Sequence, residues 1–436
     1  MRLIPKPPRS QPSADPIAPR VCMIQDGARR HYIVPLALQQ AGILEMVYAD
    51  WYVRKRSLTK WVGNVIKWFD PKTGQRMLDR RRANLDDSQI RANPKLAIRL
   101  ACQRKRFHSA EEYYTWVSEK HYQWISSRGL GRANAVYGFV RNVDPRLFED
   151  CRRDGLIVVS DQIIAPARIE NAEYQEQQRR WPGWEKPLSG KNQHNIEMLE
   201  ERTWAASDVV ICGSEYVKTG LLACGVDSRK VAVVPYAPSG ADLPLIERRL
   251  SSQPVIVGFT GSVSLRKGAP YFFEVAKRFD PKRVKFVMVG SSSIAPEVLE
   301  KYKGNVECIG SVPRSDIAKW LATFHIFFFP STCEGCAGSV LEAMDTGLPI
   351  VSTVNSGTIV RHGVEGFIHD YGDVDAATAS IERLVSDSAL RDSMGLASRA
   401  RIESFDMKWY CETLRTLFEN ELAEKMSHPR TVEPLS

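Results

Sequence analysis

The feature of this sequence that most constrains its fold is a regular alternation of short apolar runs with amphipathic segments. In the second half of the chain, the runs predict strands at 255–259, 285–289, 306–309, 325–329 and 349–352. The segments between them predict helices at about 268–279, 294–303, 314–323 and 338–346. The first half repeats the pattern less regularly, with strands predicted at 20–25, 135–140, 156–160, 209–212 and 231–234. Because alternating strands and helices form parallel sheets that are covered on both faces, we predict an α/β protein.

The length of 436 residues favours two domains over one. A turn-rich connector at 238–254 separates a predicted N-terminal domain, residues 20–238, from a predicted C-terminal domain, residues 255–405. A long amphipathic helix is predicted after them, at 406–425. The proline-rich stretch 1–19 lacks the apolar core of a secretory signal and is predicted, like 426–436, to be a disordered tail. We therefore expect two doubly wound domains that face each other across a cleft.

The nine cysteines are scattered and odd in number, and most of them stand inside apolar runs. This pattern favours reduced thiols and a cytoplasmic protein, and no stretch is long and apolar enough to predict a membrane span. Cys333 and Cys336 form a C-x-x-C pair, but the second pair or the histidines that a metal site needs are missing. A redox role for this pair stays open, although we interpret both cysteines as small loop residues. Asp370, Asp373 and Asp375 favour a solvated loop over a Mg²⁺ site, so no metal is expected.

Residues 51–106 carry sixteen Lys and Arg against four Asp and Glu, which indicates a surface that faces something anionic. Within this segment, Trp61, Val65 and Phe69 recur at helical spacing. A basic helix with aromatic residues is typical of a helix that lies on an anionic membrane leaflet. The alternative, which we favour, is that these apolar residues pack into the N-terminal domain while the cations stay solvated. Nucleic acid is a weaker alternative, because the segment matches no recognised binding module.

The first motif that points to chemistry lies at 259–268, where a predicted strand runs into Gly261. Arg266 and Lys267 follow just before a helix begins. In open α/β sheets, ligands bind beyond the carboxyl ends of the strands, where helix N-termini present free N–H groups. Arg binds phosphate oxygens there through a bidentate fork and Lys as a point charge. Taken alone, the motif is equally typical of a solvated loop with incidental cations.

The second motif lies at 330–349, where an aromatic strand runs into a turn of small residues and then into a helix. Glu334 stands in the turn, and Glu342 stands about one turn into the helix. Gly335, Ala337 and Gly338 leave the backbone amides uncovered, so an anion or a sugar hydroxyl can approach closely. A favourable first-turn charge would explain Glu334, but not the second carboxylate together with the small residues.

The spacing of Glu334 and Glu342, with Gly347-Leu-Pro349 after them and Arg266-Lys267-Gly268 before them, resembles the retaining family-4 glycosyltransferases, the glycosyl transferases group 1. The similarity extends to Gly363-Val-Glu-Gly366 and covers nearly all of 255–424, but only parts of 20–237. It implies the GT-B fold, in which two Rossmann-like domains face a cleft. It also implies that the final helix crosses back and packs on the N-terminal domain.

The resemblance implies a role for each motif residue. Glu334 would contact hydroxyls of the donor sugar and Glu342 the nucleotide ribose, while Arg266 and Lys267 would neutralise the departing diphosphate. Further donor-binding positions are Gly27, Gly261, Ser262, Val312, Gly335, Cys336, Ala337, Gly338 and Ser339.

Three features depart from the family pattern. The glycine pair that is often seen in the family's first loop is reduced to Gly27. Ser262 stands where the family usually has an arginine, and Asp161 stands where a histidine is often found. Asp161 either orients the acceptor or caps a helix, and we favour the cap.

The resemblance implies an enzyme that transfers a sugar from a nucleotide-sugar donor to a sugar or lipid-linked sugar acceptor. The transfer would proceed with retention, without a metal or another cofactor, in polysaccharide or glycolipid biosynthesis. One alternative is a sugar-nucleotide epimerase on the same fold, and another is a non-catalytic nucleotide-sugar binder or membrane scaffold. The pair Glu334 and Glu342 favours the transferase, whereas Ser262 and Asp161 keep the non-catalytic alternative open.

Overall fold

The computed structural model describes residues 18–54, 57–107, 110–187, 193–238 and 254–427, which form two parallel β-sheets flanked by helices. The strands of the first sheet are β1 Val21–Gln25, β2 Leu44–Ala49, β3 Ile90–Ala92, β4 Ala135–Phe139, β5 Ile157–Gln162, β6 Val209–Cys212 and β7 Val231–Val233. They lie in the order β3-β2-β1-β4-β5-β6-β7. The predicted class, an α/β protein with two doubly wound sheets, is confirmed.

The second sheet begins after the predicted connector, most of which (239–253) lies outside the described residues. Its strands are β8 Val255–Thr260, β9 Val284–Val289, β10 Val306–Gly310, β11 Ile326–Phe329, β12 Ile350–Thr353 and β13 Gly366–His369. They lie in the order β10-β9-β8-β11-β12-β13, and every pair is parallel. The chain order reverses direction beside β8 in this sheet and beside β1 in the first, so both sheets have a topological switch point.

The helices connect the strands across both faces of each sheet. Those of the first half are α1 Ile33–Gln40, α2 Leu58–Phe69, α3 Pro71–Leu78, α4 Pro94–Gln103, α5 Ala110–Arg128, α6 Pro145–Arg153, α7 Ala167–Arg180, α8 Gln193–Ala206 and α9 Glu215–Ala223. Those of the second half are α10 Ala269–Ala276, α11 Pro296–Tyr302, α12 Ile317–Thr323, α13 Gly338–Asp345, α14 Val374–Ser386, α15 Ser388–Glu403 and α16 Met407–Ser427.

Among the elements that sequence reasoning missed are β2, β3, β13, α14 and α15. The strand β2 contains Glu45, which interrupts its apolar run, and β3 is only three residues long. The strand β5 extends past the predicted end at residue 160 and reaches Gln162. Asp161 is therefore a strand residue, so the helix-cap interpretation is wrong; α7 begins only after Pro166.

An aromatic core fixes the strand ends that carry the second-half motifs. The Phe259 ring stacks on Phe329 with 5.3 Å between the ring centroids, and Phe272 stacks on Phe328 at 5.4 Å. All four side chains are buried. Because β8 and β11 are neighbours in the sheet, this packing brings the two motif loops to the same edge.

The last helix, α16, lies against the first domain. The Lys425 ammonium donates to the carbonyl oxygens of Gly155 and Leu156, at 2.7 and 3.1 Å. The buried Tyr410 ring lies 6.5 Å from that of Tyr236, at the end of the first sheet. The tail predicted from residue 426 lies almost wholly outside the described residues, as does most of the predicted tail 1–19.

A second link between the halves is the segment that follows α7. Trp184 packs on the rings of Phe273 and Tyr302 in the second domain, at 5.9 and 5.7 Å. Its neighbour Glu185 accepts the backbone N–H of Leu265 at 2.8 Å. The first domain is thus anchored directly beside the loop that follows β8.

The apolar face of α2 is exposed, so the prediction that it packs into the domain core is wrong. The exposed side chains include Leu58, Trp61, Val65, Trp68 and Phe69, with Trp68 80% exposed. The opposite side of the helix packs on α3, because two glycines let the backbones approach closely. A Cβ on Gly63 would lie 2.7 Å from a methyl group of Leu78, and one on Gly74 would lie 2.2 Å from the Cα of Lys67.

The nine cysteines form no disulfide, and Cys333 and Cys336 are both buried. Across the described ranges, no group of three or more His, Cys, Asp and Glu side chains is placed to hold a metal ion. Asp373 caps α14 and Asp375 pairs with Arg278. None of the described helices is long and apolar enough to cross a membrane.

Two tryptophan substitutions test this description of the interface. We expect Trp184→Ala to destabilise the protein by about 3–5 kcal/mol, because it removes a buried ring from between the domains. Trp68→Ala is the matched control and should change the stability by less than about 0.5 kcal/mol, since the ring is exposed. Thermal and urea unfolding measure both, and equal effects would contradict the packing described.

Candidate active site in the interdomain cleft

The loop after β8 is shaped by a close backbone contact. Gly268 has φ +75° and precedes α10, and a Cβ there would lie 1.8 Å from the carbonyl oxygen of Pro330. Only glycine fits this position, so the loop lies directly on the segment that follows β11. The Arg266 carbonyl accepts the Thr332 N–H at 2.9 Å and the Ser331 hydroxyl at 3.0 Å, which locks the two loops together.

The two motifs meet in a buried charge cluster. Arg266 Nη1 and Lys267 Nζ lie 2.6 and 2.5 Å from the same oxygen, Oε1 of Glu334. Arg266 also donates to the Cys333 carbonyl at 2.8 Å. The carboxylate is 9% exposed, so its charge is compensated almost entirely by these two cations. Arg266 and Lys267 are thus in direct contact with Glu334, as the sequence motifs predict. Arg266 and Glu334 stand 68 positions apart in the sequence.

The charges in this cluster stabilise one another. Burial raises the pKa of Glu334, but the charges of Lys267 and Arg266 outweigh burial and hold it below its ordinary value. Burial lowers the pKa of Lys267, and the attraction of Glu334 acts in the opposite direction. An incoming anion would therefore meet two positioned cations that share a single counter-charge.

The backbone of residues 335–339, hereafter the cradle, is only partly open to a ligand. Gly335, Cys336 and Ala337 are buried, and the Ala337 N–H already donates to the Ser356 carbonyl at 3.2 Å. Gly338 and Ser339 are half-buried and begin α13, where the amides of the first two helical residues have no carbonyl one turn earlier in the helix to bind.

The buried part of the cradle lies against the first domain. The Ser214 hydroxyl donates to the Gly335 carbonyl at 2.5 Å. A Cβ on Gly335 would lie 1.8 Å from the Ile163 carbonyl oxygen, so only glycine permits this contact. The domains are closed on each other at this point.

The second carboxylate of the motif is paired with an arginine that sequence reasoning missed. Glu342 is 8% exposed, and its carboxylate accepts hydrogen bonds from both terminal nitrogens of Arg314. The bond from Nη1 is 3.1 Å long. Arg314 follows the segment of Val312, which is half-buried and packs on the main core. The side chain of Arg314 is half exposed, so this pair marks an accessible part of the cleft.

The other predicted donor positions lie at the strand ends. Gly261 has φ +142°, which favours glycine, and its N–H donates to the Val289 carbonyl at 2.9 Å. Ser262 follows it and is exposed. Gly27 has φ +72°, and its N–H donates to Asp50 at 2.9 Å.

The loop between β1 and α1 contains three consecutive residues in the left-handed region. Arg30, His31 and Tyr32 have φ of 48°, 50° and 59°. None is glycine, and such conformations cost roughly 1–3 kcal/mol each, so surrounding contacts must hold them. They cluster at ligand-binding and switch regions of proteins, which makes this loop a candidate functional element.

Arg30 is the residue that the strained loop sends across the cleft. Its guanidinium lies 4.3 Å from the ring centroid of Tyr236, and its Nη1 lies 2.9 Å from where a Cβ on Gly338 would be. Its Nε is buried and has no hydrogen-bond partner among the described residues. A cation therefore reaches the N-terminus of α13 from the opposite domain. The sequence signal was the pair Arg29-Arg30 after Gly27.

Asp161 lies in a hydrogen-bonded cluster beneath Arg30. Its carboxylate accepts the hydroxyls of Tyr137 and Tyr236, at 2.5 and 2.6 Å. The residue has no exposed surface, so an acceptor has no direct access to it in this structure. Burial raises the pKa of Asp161 to about 6, although the two hydroxyls and Arg30 act in the opposite direction.

The match to a known protein family lies in the half of the chain that carries the motifs. Residues 253–387 match the family described as Glycosyl transferases group 1. This match spans most of the C-terminal domain. It confirms the resemblance to the glycosyl transferases group 1 that the motifs indicate.

Relatives of this domain include enzymes that build bacterial polysaccharides. The chain is 28% identical over 187 residues to the capsular polysaccharide biosynthesis glycosyltransferase CapM of Staphylococcus aureus, covering 40% of this chain and 49% of that protein. It is 26% identical over 220 residues to an Escherichia coli UDP-Gal:alpha-D-GlcNAc-diphosphoundecaprenol alpha-1,3-galactosyltransferase, covering 46% and 57%. The chain thus spans about half the length of these relatives.

Solved structures share the whole two-domain arrangement around this group 1 domain. Sucrose-phosphate synthase from Thermosynechococcus elongatus superposes with a TM-score of 0.63 at 14% identity, over 93% of this chain and all of that one. Anabaena HepE in complex with UDP and glucose gives 0.53 at 14% identity, over 94% and 99%. At such identities the likeness shows the fold alone, which is the GT-B fold.

The Asp161 cluster generates a prediction about pH. Below the ordinary pKa of 3.8 the carboxyl is protonated in both the folded and the unfolded chain. Between 3.8 and about 6 the folded protein keeps a proton that the unfolded chain releases, so this contribution to stability is lost as the pH rises through about 6.

Urea unfolding of the wild type and of Asp161→Asn, at about pH 4 and about pH 8, measures this effect. The variant cannot ionise, so its stability relative to the wild type should increase by about 2 kcal/mol between the two pH values. A difference that does not change with pH would contradict the raised pKa.

Proposed function

We propose that this protein is a glycosyltransferase that moves a sugar from a nucleotide-sugar donor to an acceptor, with retention and without a metal ion. Polysaccharide or glycolipid biosynthesis is the proposed setting, as the names of the relatives suggest. The observation that carries the proposal is the contact of Arg266 and Lys267 with Glu334. These residues lie in the loops after β8 and β11, within the range that matches the glycosyl transferases group 1.

The chemistry follows from the leaving group. When a nucleoside diphosphate departs, negative charge accumulates on its phosphate oxygens and positive charge on the anomeric carbon. Lys267 and Arg266 provide fixed positive charge on one side, and the amides that begin α13 provide donors on the other. Because these groups are held in place before the donor binds, little reorganisation is needed as the bond breaks.

Arg30 supplies a further cation from the opposite domain. Its guanidinium reaches Gly338 at the N-terminus of α13, where the proposed diphosphate lies. The family usually has an arginine at the position of Ser262, and Arg30 would take over that charge. With three side-chain cations around the leaving group, the proposed reaction does not require a divalent ion to balance it.

Donor binding requires the domains to separate in part. Gly335 and its neighbours, which the sugar would contact, are covered by Ile163 and Ser214 of the first domain. The hydrogen bond from Ser214 and the close backbone contact with Ile163 are among the contacts that a hinge motion would have to open. The strained loop that carries Arg30 would then close again over the bound diphosphate.

Release of free nucleoside diphosphate separates this proposal from its alternatives. A transferase releases it from a nucleotide sugar, either by transfer or by slow hydrolysis. An epimerase or a non-catalytic binder on the same fold does not. The protein should therefore be incubated with a panel of nucleotide sugars, with and without EDTA, and the free diphosphate measured.

With the donor that gives turnover, we expect Lys267→Ala and Arg30→Ala each to reduce the rate by ~10²–10³, because each removes a charge from the leaving group. Lys282→Ala is the matched control and should keep the wild-type rate, since Lys282 is exposed and away from the motifs. Wild-type rates in both site variants would overturn the site assignment, provided that circular dichroism shows both to be folded.

We also propose that α2 and α3 contact an anionic membrane. An exposed apolar stripe on α2, with Lys60 and Lys67 beside it, combines the two attractions that hold a helix at a membrane surface. Each cation near an anionic surface adds about 1 kcal/mol. Such contact would bring the enzyme to a lipid-linked acceptor.

Flotation with anionic vesicles tests the membrane proposal. We expect Trp68→Ala/Phe69→Ala to weaken vesicle binding by roughly tenfold or more, because two large exposed rings no longer enter the interface. Leu396→Ala is the control, since it removes an exposed apolar side chain from the other domain and should have no effect. Equal flotation of all three proteins would refute membrane contact through α2.

A further inference from the structure

A cavity of about 470 Å³ lies in the first domain, at the edge of its sheet. It is lined by Met46, Tyr48, Arg54, Arg91, Ala92, Asn93, Trp124, Arg128, Gly129 and Gly131. None of these residues belongs to the donor site described above. We propose that this cavity, hereafter the arginine pocket, binds the phosphate group of a phosphorylated ligand.

The fold brings the arginines of the pocket together from three elements. In the register of the sheet, Arg91 on the edge strand β3 is paired with Tyr48 on β2. The Trp124 ring of α5 packs edge-on against Tyr48, with 5.1 Å between the ring centroids. Arg128 lies one turn after Trp124 on the same helix, which brings its side chain to the same pocket.

The third arginine is held across the edge strand. Arg54 Nη2 donates to the Ile90 carbonyl at 2.6 Å. Arg91 in turn donates to the Ser88 carbonyl at 3.0 Å. Both contacts orient a guanidinium without neutralising its charge.

No acidic residue lines the pocket, and within the described ranges none of the three arginines forms an ion pair. Three like charges gathered around one concave surface repel one another, and their field is focused by the low-dielectric walls. An anion in the pocket removes this repulsion. Guanidinium groups favour phosphate, because two parallel N–H donors match two phosphate oxygens.

The start of α4 adds to the positive potential. Asn93 lines the pocket and caps this helix, with its side-chain oxygen accepting the Leu96 N–H at 3.0 Å. The partial positive charge of a helix N-terminus is therefore directed toward the same space as the three guanidinium groups.

The volume of the pocket exceeds that of a bare phosphate ion and lies within the range of small-molecule sites. The remaining space is bounded by the half-buried Trp124 and by Tyr48, whose hydroxyl is occupied by the Gly129 carbonyl at 2.6 Å. An aromatic wall suits the organic part of the ligand, such as a sugar or a glycerol unit. The ligand is thus a phosphorylated organic molecule, soluble or attached to a membrane.

The pocket also adjoins the hairpin of α2 and α3. Ser57, which caps α2, donates its hydroxyl to the Arg54 carbonyl at 3.2 Å. A phosphate carried by a lipid would therefore reach the pocket beside the exposed stripe of α2. The inference does not depend on glycosyl transfer, because it concerns a different set of residues.

Calorimetric titration of the full-length protein with inorganic pyrophosphate tests the pocket. We expect Arg91→Gln/Arg128→Gln to weaken one class of sites by about a hundredfold, since each charged hydrogen bond is worth roughly one tenfold step. Lys267→Ala should leave the pyrophosphate affinity of the arginine pocket unchanged and weaken binding only at the donor site. The two sites can therefore be tested independently.

Arg99→Gln is the matched control, because Arg99 is an exposed arginine of α4 that does not line the pocket. Arg91→Lys/Arg128→Lys keeps the charge but loses the fork and should bind with intermediate affinity. If Arg91→Gln/Arg128→Gln binds pyrophosphate as tightly as Arg99→Gln does, the proposal is overturned.

The source of the phosphate is distinguished by competition. Vesicles that contain phosphatidic acid are mixed with the protein, with and without glucose 1-phosphate. If the double glutamine variant floats less than the control, the pocket binds lipid phosphate. If flotation is equal but glucose 1-phosphate binding is lost, the ligand is soluble. Both results support a phosphate site. If the double glutamine variant keeps both vesicle flotation and glucose 1-phosphate binding, the proposal is overturned.

Discussion

The interaction on which the cleft depends is the shared carboxylate of Glu334. A buried carboxylate needs compensating charge, and here two cations from a different loop supply it through one oxygen. This requirement fixes the loop after β8 against the loop after β11, and Gly268 permits the contact because it has no side chain. The same arrangement leaves positive charge beside the start of α13, ready for an anion.

The two domains contribute unequal parts to this site. The second domain provides a preformed charge cluster on a rigid aromatic core. The first domain provides a strained loop, and strain is retained only where surrounding contacts impose it. Arg30 connects the two, because it reaches Gly338 while it packs on Tyr236 above the Asp161 cluster. In this closed arrangement, Arg30 of the first domain therefore lies at the same cleft as the charge cluster of the second.

The outer part of the first domain suggests how an acceptor reaches the cleft. The apolar face of α2 is exposed because two glycines direct the opposite face toward α3. The arginine pocket lies beside the start of this helix. Together they form a surface with apolar, aromatic and cationic parts, as the proposed contacts with a membrane and with a phosphate group require.

The sequence by itself determined the alternation of strands and helices and the meeting of Arg266, Lys267 and Glu334. The alternation follows from local periodicity. The meeting of the two motifs is implied by the family resemblance and agrees with the rule that parallel strands place their carboxyl ends at one edge. It did not determine that Asp161 is buried, that Arg30 crosses the cleft, or that α2 faces outward. Those features depend on which surfaces meet in three dimensions. Two tyrosines that are distant in the sequence enclose Asp161, and the glycines of α2 and α3 let these two helices approach closely. Periodicity shows that a helix has an apolar face, but only tertiary packing decides whether that face is covered.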